Sequence, residues 1–245
     1  MHNILLEISY DGTNYSGWQR QKNAISIQEK IEDAISQICS EEINIIASGR
    51  TDAGVHALSQ IANFNTTSNI DAEKFAKAIN SKLPYDIRIL SSKEVDENFN
   101  ARFSAKKKTY IYHIFNRGIK SPFWDKYSMH INRILDLELM KYNANMLIGT
   151  HDFTSFYTFE KNNPKNTVKT IYSSDITKIY DDVLTFSITG DGFLYNMVRI
   201  IVGTLIEIGL HQKNDDISQI LMYKDRKKAG ATAKAKGLFL KNVEY

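Results

Sequence analysis

The alternation of two hydrophobic periods along the first half constrains this 245-residue chain more than any other feature. Asn3 to Tyr10 is strand-like, carrying Ile4, Leu5, Leu6 and Ile8, and closes on the turn dipeptide Asp11-Gly12. Ser26 and Glu29 form an S-x-x-E capping box, after which Ile27, Ile31, Ala34, Ile35 and Ile38 recur at helical spacing. Ile43 to Ala47 and Gln60 to Phe64 are strand-like again. Asp71 opens a second helix with Phe75, Ala76 and Ile79, which Pro84 ends, and Ile87 to Val95 is a further strand. The order is β-α-β-β-α-β, that of a split-βαβ or ferredoxin-like unit.

The second half repeats this order more loosely. Thr109 to Asn116 alternates as a strand, and a helix is expected over about Leu135 to Leu147. Val168 to Ile179 and Val183 to Thr189 pair around Asp181-Asp182. Helices over about Tyr195 to Ile208 and Asp215 to Tyr223 follow, and Leu238 to Val243 closes as a strand. The expected fold is therefore α+β: two ferredoxin-like domains with antiparallel sheets, 1–104 and 105–245, leaving a cleft between the sheets. With three prolines and no low-complexity linker, the domains are expected to dock tightly.

Composition removes several classes. A 42% hydrophobic and 24% charged chain is that of a soluble globular protein. Its one cysteine, Cys39, cannot form an intrachain disulfide, which fits a reducing cytoplasm. The N-terminus enters a strand without a basic n-region. Leu194 to Leu210 is apolar but contains Asn196, Arg199 and Glu207, so a buried helix is expected there, not a membrane span. A net charge of +3 says little about nucleic acid, but its distribution says more. Lys106, Lys107 and Lys108 precede Tyr110 and Tyr112, and Lys224, Arg226, Lys227, Lys228, Lys234, Lys236 and Lys241 crowd the C-terminal region. Such clusters can track phosphates, or be no more than a solvated face.

Chemistry is expected at Gly49-Arg50-Thr51-Asp52-Ala53-Gly54-Val55-His56, where glycines bracket one carboxylate. An ordinary turn would explain Asp52 as a cap. Alternatively a single aspartate, held ionised by a cation, acts as nucleophile or base. Arg50 is one such cation; Arg199, inside an apolar helix, is another, and it requires an anionic or carbonyl partner. Tyr110 and Tyr112 share one strand face, suited either to stacking on an unstacked base or to core packing with satisfied hydroxyls. Trp18, in Gly17-Trp18-Gln19-Arg20-Gln21, fits a partner-contacting loop or a packed corner. No histidine pair has metal-ligand spacing, His151-Asp152 being at most half a site, and no Walker or G-x-G-x-x-G motif occurs; neither metal nor nucleotide cofactor is expected.

At these residues the chain resembles the TruA family of tRNA pseudouridine synthases. The resemblance runs through Tyr10-Asp11-Gly12, Gly17 to Gln21, Gly49 to His56, Ala101-Arg102-Phe103-Ser104-Ala105 and Tyr110. It continues through His151 to Phe156, Phe193 to Gly203 around Met197-Val198-Arg199, and Thr232 to Leu240. One departure is Lys234, where the family often has proline. The resemblance implies two ferredoxin-like domains facing across a basic catalytic cleft, a homodimer, and isomerisation of uridines at positions 38 to 40 of the tRNA anticodon arm without cofactor or metal. It implies that Asp52 is the catalytic aspartate, Arg199 its ion-pair partner, and Arg50 an aid to entry of the flipped nucleotide. Tyr110 would stack on the base and help remove the C5 proton. Arg102, Lys106, Lys107 and Lys108 would contact RNA.

Two other classes compete. A non-catalytic RNA-binding module explains the cations and aromatics but gives Asp52 and Arg199 no purpose. An aspartate-dependent glycosylase would leave an abasic product in place of a nucleoside of unchanged mass.

Overall fold

The periodicities of the first half become elements because each lets one face be buried. In the computed structural model, which describes residues 1–159 and 166–245, β1 is His2–Tyr10, α1 Ile27–Cys39, β2 Ile46–Ala47, β3 His56–Thr66, α2 Phe75–Asn80 and β4 Ile87–Val95. Ser26 Oγ accepts the Glu29 N–H at 3.2 Å, the Ser26 side of the expected capping box, and Ser40 ends α1 in the left-handed region. Ile27, Ile31, Ala34 and Ile35 form the buried face of α1, each isoleucine contributing ~1.5–3 kcal/mol. β1 pairs antiparallel with both β3 and β4, and β2 adds to β3. The continuous apolar run of β1 is buried on both faces: Ile4, Leu6 and Ile8 are core, while Leu5 meets Ile61 and Ala101.

The second half contains β5 Lys107–Asn116, β6 Met129–Ile131, α3 Leu137–Asn145, β7 Gly149–Asp152, β8 Val168–Tyr180, β9 Val183–Gly190, α4 Met197–Gly209 and α5 Ile217–Tyr223. β5, β9, β8 and β7 pair antiparallel in that order, and β6 runs parallel to β5. The strands β6 and β7 went unseen in the periodicity because three or four residues are too few to show alternation. α3 packs on β8 and α4. α4 is buried around most of its circumference, as its apolar composition requires. No helix among the described residues is long and apolar enough to cross a membrane.

The chain divides into two compact units, Met1–Lys106 with Phe239–Tyr245, and Lys107–Leu238. The last strand, β10 (Leu238–Glu244), thus returns to the first unit, where Phe239 and Leu240 run parallel to His56 and Ala57 of β3. Parallel pairing with so distant a segment leaves no local signature in the sequence.

Candidate active site

Asp52 sits in the loop between β2 and β3, half-buried, and the first unit grips that loop along its backbone. Val55 N–H closes a turn onto Asp52 O at 3.1 Å. From the β3 side, the fully buried Gln60 accepts from Ser48 Oγ and donates to Gly49 O at 3.0 Å. From the segment after β1, Trp18 N–H donates to Thr51 O at 3.0 Å and Tyr15 O accepts the Gly54 N–H at 3.3 Å. Tyr10 Oη and Thr51 Oγ1 are 2.7 Å apart.

Two glycines make this approach possible. Gly17 has φ +93°, and a Cβ there would lie 2.6 Å from Thr51 O; a Cβ at Gly12 would lie 2.0 Å from Val55 O. The Tyr10-Asp11-Gly12 and Gly17-Trp18 motifs therefore serve the aspartate loop. Trp18 is the packed corner, not the partner-contacting loop: it is buried against Tyr10 at 5.9 Å between ring centroids.

Other expected site residues of this unit are solvent-facing. Arg50 is exposed, with no side-chain hydrogen bond or ion pair among the described residues, so its donors can serve a phosphate. Arg102 is exposed and lies over the Phe103 ring at 5.5 Å, in a turn whose N–H groups at residues 102 and 103 are capped by Asn100 Oδ1. Lys106 ties its backbone N–H to Glu244 O at 2.8 Å and exposes its side chain.

In the second unit, Lys107 stands over the Tyr172 ring at 5.0 Å and Lys108 is half-buried. Tyr110 and Tyr112 do share one face. Tyr112 is core, its hydroxyl donating to Lys234 O at 2.7 Å; Tyr110 is 9% exposed and meets Phe193 edge-on at 5.1 Å. Arg199 Nε donates to Ala233 O at 2.8 Å and Nη1 to Asn196 Oδ1 at 2.9 Å, supplying the carbonyl partner expected for a guanidinium in an apolar helix. Asn196 itself starts α4 at φ 60°, a conformation asparagine tolerates. Burial pushes the Tyr112 hydroxyl pKa upward, and the nearby positive charge of Arg199 opposes that shift.

Loop 230–234 that receives Arg199 is itself fastened to α4. Gly230 N–H donates to Thr204 Oγ1, Ala231 N–H to Glu207 Oε1 and Ala233 N–H to Arg199 O, while Arg226 donates to Gly230 O. Lys234 there has φ −60° and ψ 140°, angles proline adopts, and its carbonyl is what Tyr112 uses. Lys234→Pro should therefore raise stability by ~0.4–1 kcal/mol, which a thermal melt will resolve. A lowered midpoint would show that proline distorts the loop.

His151-Asp152 is structural. Asp152 Oδ1 accepts from Thr154 N–H, Thr154 Oγ1 and Thr167 Oγ1, and Oδ2 faces Lys224 Nζ at 3.0 Å. Burial alone would raise its pKa, but the hydrogen bonds from Thr154, Thr167 and Lys224 hold it well below the usual carboxylate range. A depressed folded-state pKa stabilises above the unfolded value and is lost as pH falls through the folded one. Asp152→Asn should thus cost ~1–2 kcal/mol at neutral pH and progressively less below pH ~4, measured by denaturant unfolding across pH. A cost independent of pH would remove the ionised carboxylate from the explanation.

The partners that the sequence reading did not single out are Tyr15, Gln60, Asn196 and Ala233. Tyr15 and Ala233 act through backbone carbonyls, which no residue type announces.

The family model described as tRNA pseudouridine synthase matches residues 8–104 and 144–245, which include Arg50, Asp52, Arg102 and Arg199. Lys106, Lys107, Lys108 and Tyr110 fall in the stretch between. A tRNA pseudouridine synthase A of Thermoanaerobacter sp. (strain X514) is 48% identical over 246 residues, covering 100% of each chain. A tRNA pseudouridine synthase A 2 of Clostridium tetani (strain Massachusetts / E88) is 51% identical over 246 residues, covering 99% of this chain and 98% of its own. With glycine-gripped Asp52 and loop-anchored Arg199 both inside the matched segments, and identity near half from end to end, the chain belongs to the tRNA pseudouridine synthase family.

Proposed function

We propose that this chain converts uridine to pseudouridine at positions 38 to 40 of the tRNA anticodon arm, with Asp52 as its catalytic residue. The observation that carries this reading is the backbone grip on the Asp52 turn, which gives one carboxylate a fixed position inside a family-matched segment. The strand order β4-β1-β3-β2 supports a ferredoxin-like first domain, and we extend that architecture to a pair of domains bordering a basic catalytic cleft. In this reading the enzyme works in the cytoplasm as a homodimer, one tRNA contacting both subunits, without metal or cofactor.

In this reading the uridine leaves its stack so that the glycosidic bond becomes reachable. Asp52 attacks either C1′ of the ribose or C6 of the base. The C1′–N1 bond breaks, the uracil turns, C5 bonds to C1′, the bond to Asp52 breaks and returns the carboxylate, the C5 proton is released and N1 gains one, so mass is unchanged. Tyr110 stacks on the base and assists loss of the C5 proton. Arg199 keeps Asp52 ionised. Arg50 guides the flipped nucleotide, and Arg102 with Lys106, Lys107 and Lys108 neutralises phosphates.

The test is tritium release from C5-labelled uridine in bulk tRNA, followed by mapping of the product nucleotides. Release mapped to positions 38 to 40 is expected. Release elsewhere would keep the chemistry and replace the target; abasic product would replace isomerisation by hydrolysis; binding without either would leave an RNA-binding module.

A further inference from the structure

We infer that His56 is a positioning residue for Asp52, acting as a hydrogen-bond acceptor that seats Gly12 beneath the Asp52 turn. The inference rests on the functional reading above for its consequence in turnover, but its structural content stands within the first unit.

His56 begins β3 directly after the turn and is 1% exposed. The Gly12 N–H donates to its Nδ1 at 3.1 Å, and its ring stacks on Phe239 at 4.6 Å and 23°. The same Nδ1 lies 3.1 Å from Asp11 Oδ1. One nitrogen cannot accept from Gly12 and donate to Asp11 at once, so the two neighbours ask for opposite states. Gly12 decides. Asp11 Oδ1 already accepts from Thr13 N–H at 3.0 Å and from Thr13 Oγ1. Gly12 is buried, and a proton on Nδ1 would orphan its N–H, a costly arrangement. The acceptor state keeps the buried Gly12 N–H paired, with the ring proton on Nε2, which has no hydrogen-bond partner among the described residues.

What that bond controls follows from contact. Gly12 touches the Val55 carbonyl so closely that no Cβ fits, and Val55 N–H closes the turn on Asp52 O. The imidazole thus links the far side of the turn, through Gly12, to the backbone that sets the direction of Asp52. Catalytic geometry is intolerant of such shifts: a displacement of about 1 Å can cost on the order of 10²-fold in rate.

A histidine that only fills space makes a different prediction from an acceptor. His56→Phe keeps the bulk and the stack on Phe239 but removes the acceptor. His56→Asn places an amide oxygen near the Nδ1 position but leaves a void beside Phe239. We expect stability and turnover to rank oppositely: phenylalanine melts higher yet turns over on the order of 10²-fold more slowly, with KM for tRNA little changed, and asparagine melts lower yet recovers most of kcat. Turnover that follows the melting temperature overturns the inference. Amide hydrogen exchange at Gly12, Gly54 and Val55 gives the readout independent of RNA. It should accelerate in His56→Phe and return toward the wild-type value in His56→Asn; unchanged exchange in the phenylalanine variant overturns the clamp. Wild type that makes no pseudouridine overturns the functional reading instead, and the exchange data still decide the clamp.

Discussion

Asp52→Ala should abolish tritium release from C5-labelled tRNA, a loss on the order of 10⁴-fold or more, while leaving the protein folded and able to bind RNA. The size follows from the role. On the proposed mechanism, removing the attacking group leaves positioning and electrostatics alone, and those cannot form the missing bond. The modest structural cost follows from the site: the loop is held by backbone bonds at Thr51, Asp52 O, Gly54 and Val55, and an alanine at 52 keeps every one. Affinity should survive because phosphate contacts dominate it, and Arg50, Arg102 and Lys106 remain exposed to make them. Asp52→Asn is the sharper companion, nearly isosteric but without the charge. Tritium release by either variant at the wild-type rate would take the chemistry away from this loop.

Much of the first unit's fold is legible in the sequence. α1 and β4 are where their apolar periods place them because each has a single direction to bury, and Asp52 stood out because glycines bracket it, a pattern that an ordinary turn also gives. What escaped was the grip itself. Gly17 and Trp18 act on Thr51 through main-chain atoms, and a carbonyl has no residue type to read. The same holds for Ala233, whose oxygen anchors Arg199. The pairing of β10, though not the strand itself, escaped for a related reason: it joins β3 to a segment about three quarters of the chain away, and nothing in Leu238 to Glu244 marks the partner. Asp152 shows the same limit from the side-chain end: its partners Thr154, Thr167 and Lys224 come from separate stretches of chain that no local pattern joins.

Arg199→Ala should lower kcat by on the order of 10²–10³-fold while changing KM for tRNA only a few-fold. A cation needed only to hold a catalytic carboxylate ionised contributes when that carboxylate reacts, not when the RNA backbone docks. The guanidinium is oriented before substrate arrives, since Nε and Nη1 are spent on Ala233 O and Asn196 Oδ1 and the 230–234 loop is itself tied to α4 through Thr204 and Glu207. Truncation also strands those two acceptors, so the alanine variant should lose ~1–3 kcal/mol of stability. Arg199→Lys separates the two effects: an ammonium keeps the charge but cannot satisfy both acceptors in a planar fork. Lysine should therefore restore part of kcat and little of the stability. Equal losses in kcat and in tRNA affinity for the alanine variant would make Arg199 an RNA contact, and Asp52 would need another cation.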